Sequence, residues 1–115
     1  MNGRAAPALL LAALIGAAGP AGAACRLALA LAFDVSASVD AREYRLMMDG
    51  TAEALRDSQV RRAALSDLPI ALAAYVWAGR REQAIAVDWV LIESETDLAE
   101  FADRLGAFRD RQAIP

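Results

Sequence analysis

Residues 27–38 read LALALAFDVSAS: seven apolar residues, an aspartate, then two serines at alternate positions. No polar side chain interrupts the run from Leu27 to Phe33. A strand with one wet face alternates, so this run predicts a strand buried on both faces, as in parallel sheets covered by helices. Asp34 then falls at the C-terminal end of that strand, the end at which open α/β sheets bind ligands. Ser36 and Ser38 bring two hydroxyl oxygens into the loop beyond it. Two readings stay open at this point. The three oxygen-bearing side chains converge on a hard cation, or Asp34 is a strand-end residue and the serines belong to a turn or cap.

Downstream, Asp40 and Glu43 have the spacing of a capping box. Tyr44, Met47, Met48, Thr51, Ala52 and Leu55 follow at helical spacing, through about Asp57. A second short helix is expected over residues 60–66, and Asp67-Leu68-Pro69 ends it, because the residue before a proline is pushed out of the helical region. Residues 70–78, IALAAYVWA, form a second continuous apolar run and a second buried strand. A strand, a helical crossover and a strand make a right-handed unit, so the two strands are expected to be parallel. After a polar loop at residues 79–83, residues 84–92 read as an antiparallel edge strand. Ile85, Val87, Trp89 and Leu91 are expected on one face of it, with Asp88 guarding the other. Trp77 and Trp89 are expected in the core or packed across the hairpin. A last helix is expected from about Asp97 to Phe108, capped by Ser94 or Thr96, with Leu98, Phe101, Ala102, Leu105 and Phe108 as its buried stripe.

The N-terminal 24 residues differ in kind. Arg4 precedes an apolar run broken by Gly16, Gly19 and Pro20, and Ala21-Gly22-Ala23 fits a small-x-small cleavage site. This is the pattern of a secretory signal peptide, and the run is too short and interrupted for a good membrane span. It divides the chain into a signal peptide at 1–24 and a domain at 25–115, with a periplasmic or secreted destination and no membrane attachment after cleavage. A lipoprotein signal at Cys25 fits less well, since Gly22 stands where a leucine is expected.

Composition removes several classes of function. All twelve basic residues are arginine; without Arg4, eleven face fifteen acidic residues, a net charge of −4. Nucleic acid, which calls for a basic face, is not an expected partner. There is no histidine, so Ser-His and Cys-His nucleophile pairs are excluded. Cys25 is the single cysteine, so no internal disulfide forms.

Aspartate-x-serine-x-serine at the end of a buried first strand, carried here by Asp34, Ser36 and Ser38, resembles the metal-ion-dependent adhesion site of von Willebrand factor A (vWA) domains. The order strand, helix, strand, antiparallel strand, helix is that of the first half of such a Rossmann-like α/β domain. With LALALAFDVSASVDAREYRLMMDGTAEALRD, IALAAYVWAG and VDWVLIES, the chain is similar to a bacterial exported family of unknown function that carries one.

The resemblance implies that Ser36 and Ser38 ligate Mg²⁺ or another divalent cation directly and that Asp34 orients the cluster. It also implies that a protein partner supplies an acidic side chain to the ion. The full domain adds a metal-binding threonine and a second aspartate on later segments, and Asp88, Asp97 and Asp110 do not take those places. The expectation is therefore a partial vWA-like domain with a weak or incomplete cation site. Its first strand would show an open edge, since the later strand that would flank it is missing. The expected function is a binding module, not an enzyme. The alternatives are a truncated product without function, and a phosphoryl-transfer enzyme using Asp34 as nucleophile, whose motif carries a second aspartate where this chain has Ser36.

Overall fold

Six elements follow one another: β1 (Leu27–Asp34), α1 (Ala41–Arg56), α2 (Ser58–Leu65), β2 (Ile70–Gly79), β3 (Glu82–Ile92) and α3 (Glu95–Ala107). The computed structural model describes Gly3 and residues 25–109. The signal-peptide reading and Asp110 fall outside the described residues. The strands form one mixed sheet in the order β1-β2-β3. β1 runs parallel to β2, with Leu27 beside Ile70 and Asp34 beside Trp77. β3 returns antiparallel to β2. The fold is thus α/β, an open sheet in the element order expected.

The helices are fixed locally. Asp40 caps α1, accepting the Glu43 N–H at 2.8 Å, while Glu43 accepts the Asp40 N–H at 2.9 Å. Asp57 ends α1 and starts α2, its carboxylate accepting from Gln59 N (2.8 Å) and Val60 N (3.3 Å). The break between the two helices is therefore one extended residue whose side chain satisfies the next helix's free N–H groups. Ser94, not Thr96, caps α3, in a reciprocal pair with Asp97. Asp67, at φ 61°, makes the tight exit from α2. Aspartate is among the few residue types that tolerate this region.

The core lies between one face of the sheet and the helices. Phe33, Ile70, Leu72, Ala74, Val76, Val87 and Ile92 meet Tyr44, Met48, Ala64, Leu98, Phe101 and Leu105 there. On β2 the even-numbered residues face this core, so the odd-numbered ones face the other way. Through the parallel register, Leu27, Leu29, Leu31 and Phe33 share the core side, and Ala28, Ala30, Ala32 and Asp34 lie on the opposite side with Ala71, Ala73, Tyr75 and Trp77.

That opposite side carries no helix among the described residues, and this corrects the expectation for β1. The strand is not buried on both faces. Its three alanines are exposed. Even on the core side Leu27 and Leu29 remain 46% and 41% exposed, because among the described residues β1 has a neighbour on one edge only.

β3 corrects a second expectation. Ala74 pairs with Val87 but Leu72 pairs with Val90, so β3 spends three residues where β2 spends two. A further shift separates Ala74–Val87 from Tyr75–Ile85. Each extra residue flips the inside–outside alternation. Val87, 4% exposed, therefore joins the core, while Ile85 and Trp89, 65% and 53% exposed, do not share its face. Neither tryptophan is in the core, since Trp77 also is 38% exposed. A groove of about 450 Å³ on this side is lined by Ala30, Ala73, Tyr75, Ile85 and Trp89, among others.

Candidate functional site

The site is the turn that carries the chain from β1 into α1. Val35 anchors it: the side chain is buried, and its N–H donates to the Trp77 carbonyl at 2.8 Å, continuing the β1–β2 ladder by one residue. The Val39 N–H donates to the Ser36 carbonyl at 2.9 Å and closes a tight turn over residues 36–39. Asp40 then starts α1. A buried residue at one end and a helix cap at the other hold four residues of loop in a defined shape.

Within that shape the three expected residues come together. Asp34 Oδ1 accepts the Ser36 N–H at 2.8 Å. The Ser36 and Ser38 hydroxyls are hydrogen-bonded to each other, their oxygens 3.1 Å apart. The Ser36 hydroxyl and N–H beside Asp34 hold its carboxyl below the usual carboxylate range, against a smaller opposing effect of desolvation. Both donors favour the ionised form. Asp34 and Ser36 are half-buried and Ser38 is exposed, so the cluster opens to solvent.

The spacing of the hydroxyls suits a small divalent cation. Mg²⁺ binds oxygen at ~2.0–2.1 Å in an octahedron, whose adjacent ligands are then ~3.0 Å apart. Ser36 Oγ and Ser38 Oγ therefore already have the separation of two neighbouring Mg²⁺ ligands. A hydroxyl that gives a lone pair to a cation turns its proton outward, and for Ser36 the Asp34 carboxylate is the acceptor at hand. The donor set supplies two neutral oxygens and one charge. Among the described residues no group of three or more acidic or cysteine side chains is placed to hold a metal ion.

The other acidic residues have separate tasks. The Asp40 carboxylate is committed to the α1 cap, Asp97 to the N–H groups of Glu93 and Ser94, and Asp88 to the N–H of Trp89. Asp88 and Asp97 are thus held away from the loop by these bonds.

One neighbour escaped the sequence reading. Trp77 is Asp34's partner across the parallel ladder and lies on the same side of the sheet. Strand parity alone would have found it, once Leu27 was aligned with Ile70.

An open α/β sheet with an oxygen-rich turn at the carboxyl end of its first strand defines the class of domain. The family follows from comparison: residues 24–114 match the model of a protein family described as Protein of unknown function (DUF1194), and the chain belongs to that family. No curated protein and no solved structure matches the chain.

Proposed function

We propose that this chain is an exported, vWA-like binding module that uses a partial metal-ion-dependent adhesion site for divalent-cation-dependent contact with another protein. The observation that carries the reading is the 3.1 Å separation of the Ser36 and Ser38 hydroxyl oxygens beside the Asp34 carboxylate, at the carboxyl end of the first strand. Ser36 and Ser38 are the direct ligands of Mg²⁺ or a similar ion, and Asp34 orients them and supplies the one nearby charge. A carboxylate supplied by the partner would complete the oxygen shell of such an ion. The partner is thereby recognised by an accessible Asp or Glu. The apolar N-terminal segment directs the chain to the periplasm or the exterior.

The alternative reading, phosphoryl transfer with Asp34 as nucleophile, is the weaker one, because its motif carries a second aspartate two residues on and this chain has Ser36 there. The test is calorimetric titration of the chain with Mg²⁺, beside the double variant Ser36→Ala, Ser38→Ala. Weak binding that the double variant abolishes supports the reading. Unchanged binding by the variant overturns it.

A further inference from the structure

Most arginines among the described residues have an evident task. Arg26 donates to carbonyls at the C-terminal end of α2, among them that of Leu68 at 2.9 Å. Arg45, Arg56, Arg61 and Arg109 pair with acidic side chains. Arg62 and Arg104 stand in the last turns of α2 and α3, where the helix dipole favours a cation. Arg42, Arg80 and Arg81 are left. All three are exposed, and none has an ion-pair partner among the described residues.

Each of the three also breaks a local rule. Arg42 is the second residue of α1, at the end of a helix where the dipole disfavours a cation. Arg80 and Arg81 are the two central residues of the β2–β3 turn, between the paired Gly79 and Glu82. Two-residue hairpin turns favour Gly, Asn or Asp at positive φ. Here two like charges sit side by side, neither at positive φ, and the pairing is irregular between Trp77 and Gly79. The nearest acid gives them no relief: the Glu82 carboxylate lies over Gly79, 3.4 Å from where a Cβ would stand, and pairs with neither arginine. Places where local rules fail are where function is expected.

The three share one end of the molecule. β1 and β2 are parallel with Asp34 beside Trp77, so the Arg80-Arg81 turn stands at the same end of the sheet as the Asp34-Ser36-Ser38 turn. Arg80 comes three residues after Trp77, ~10 Å further along the strand direction. Arg42 follows the serine turn directly, and helical side chains lean toward the N-terminus, here toward that turn. We propose that Arg42, Arg80 and Arg81 bind further carboxylates of the partner, so that the partner presents an acidic segment and not a single acidic side chain.

This rests on the metal-dependent reading above and extends it. Arginines beside a cation site repel the cation, so they do not serve the ion itself. A ligand of several carboxylates satisfies both, one at the ion and others in the forked N–H groups of the arginines. Alternate residues of an extended segment point the same way ~7 Å apart, a spacing that carries successive carboxylates from one turn to the other. Long polyanions such as nucleic acid fit less well, because the chain as a whole carries a net charge of −3.

The test uses fluorescently labelled hexaglutamate and a Gly/Ser peptide of equal length with one central glutamate. Binding of each to the full chain is followed by anisotropy at low ionic strength, with Mg²⁺ and with chelator. The parent is expected to bind hexaglutamate more tightly than the single-glutamate peptide, and more tightly with Mg²⁺ than without. Arg80→Ala, Arg81→Ala should bind hexaglutamate about fivefold more weakly, with no loss in its own Mg²⁺ titration. Arg80→Lys, Arg81→Lys should keep most of the affinity, since charge is retained. Equal hexaglutamate affinity in the parent and the alanine variant, with Mg²⁺ dependence intact, overturns this proposal and leaves the metal reading standing. Hexaglutamate binding that ignores Mg²⁺ removes the metal reading, and this proposal with it. Tighter binding of a single-stranded oligonucleotide than of hexaglutamate also overturns it.

Discussion

Asp34 Oδ1 accepts the backbone N–H of Ser36 at 2.8 Å, and the Ser36 hydroxyl bonds the same carboxylate. The carboxylate is thereby turned back over its own loop, and the residue that follows the strand is oriented before any ion arrives. Preorganisation of this sort lowers the ordering cost of binding, but it adds no charge.

The balance of those two effects gives the first prediction. A single carboxylate with two neutral hydroxyls falls at the weak end of oxygen-ligand sites, so a dissociation constant of ~1 mM or weaker is expected for Mg²⁺. At ~1 mM Mg²⁺ linkage then stabilises the fold by only about 0.4 kcal/mol. Thermal melts with and without the ion should nearly superimpose. Micromolar affinity by calorimetry would show that other groups complete the site.

Acid titration gives the second. The folded-state pKa of Asp34 lies below its unfolded value because of the Ser36 bonds. Its contribution to stability is therefore fully present above the unfolded value and is lost as pH falls through the folded one. Asp34→Asn should flatten the acidic limb of the stability–pH curve and leave its shape near neutrality unaltered. Ser36→Ala should act in the same direction, less strongly, because the Ser36 N–H survives. An unchanged acid limb in Asp34→Asn would contradict this account.

A third concerns the core. Phe101 is 1% exposed and lies where α3 packs on the sheet. Phe101→Ala should cost about 3–5 kcal/mol. A small domain has roughly 5–15 kcal/mol in total. Urea denaturation should show the midpoint falling to about four-fifths of the parent's or lower, down to a chain already unfolded in buffer.

Asp57 closes α1 with its backbone N–H, bonded to the Ala54 carbonyl, and opens α2 with its carboxylate, so only the second role depends on the side chain. Asp57→Ala is expected to destabilise by about 1 kcal/mol through the α2 cap, and Asp57→Asn, which keeps the accepting oxygen, by much less. Equal losses in the two variants, measured by chemical denaturation, would assign the effect to charge rather than to the cap.

Export is read directly from the mature protein. Mass spectrometry of periplasmic or secreted material should give an N-terminus at Ala24 or Cys25, and the one cysteine should react with a thiol reagent. An intact Met1 in such material would remove the signal-peptide reading.

The parts of this fold legible in the sequence are those set by local chemistry. Asp40 with Glu43 and the periodic stripe of α3 each announce their element without reference to the rest of the chain. The same holds for Asp34, Ser36 and Ser38, which sit within one turn, so their convergence is a matter of spacing. What the sequence did not disclose depends on pairing between distant segments. The exposure of β1 on the face away from the core follows from the described helices lying on one side only, and no residue in LALALAF records that fact. The orientation of Trp89 follows from an extra residue opposite β2, and Asp88-Trp89-Val90 looks like regular alternation until β2 is laid beside it.

The pairing of β1 with β2 joins Leu27 to Ile70, whereas β2 meets β3 across a two-residue turn. A chain made from its N-terminus thus produces β1 first and gives it a neighbour only 43 residues later. At ~5–20 residues per second that interval is roughly 2–9 s. The hairpin and α3 close through near neighbours, while β1 must wait for a long loop to return, the slow kind of contact. The most apolar strand of the sheet is consequently the first to be made and the one that waits longest for a neighbour. During that interval it is the segment that a holding chaperone would have most reason to grip.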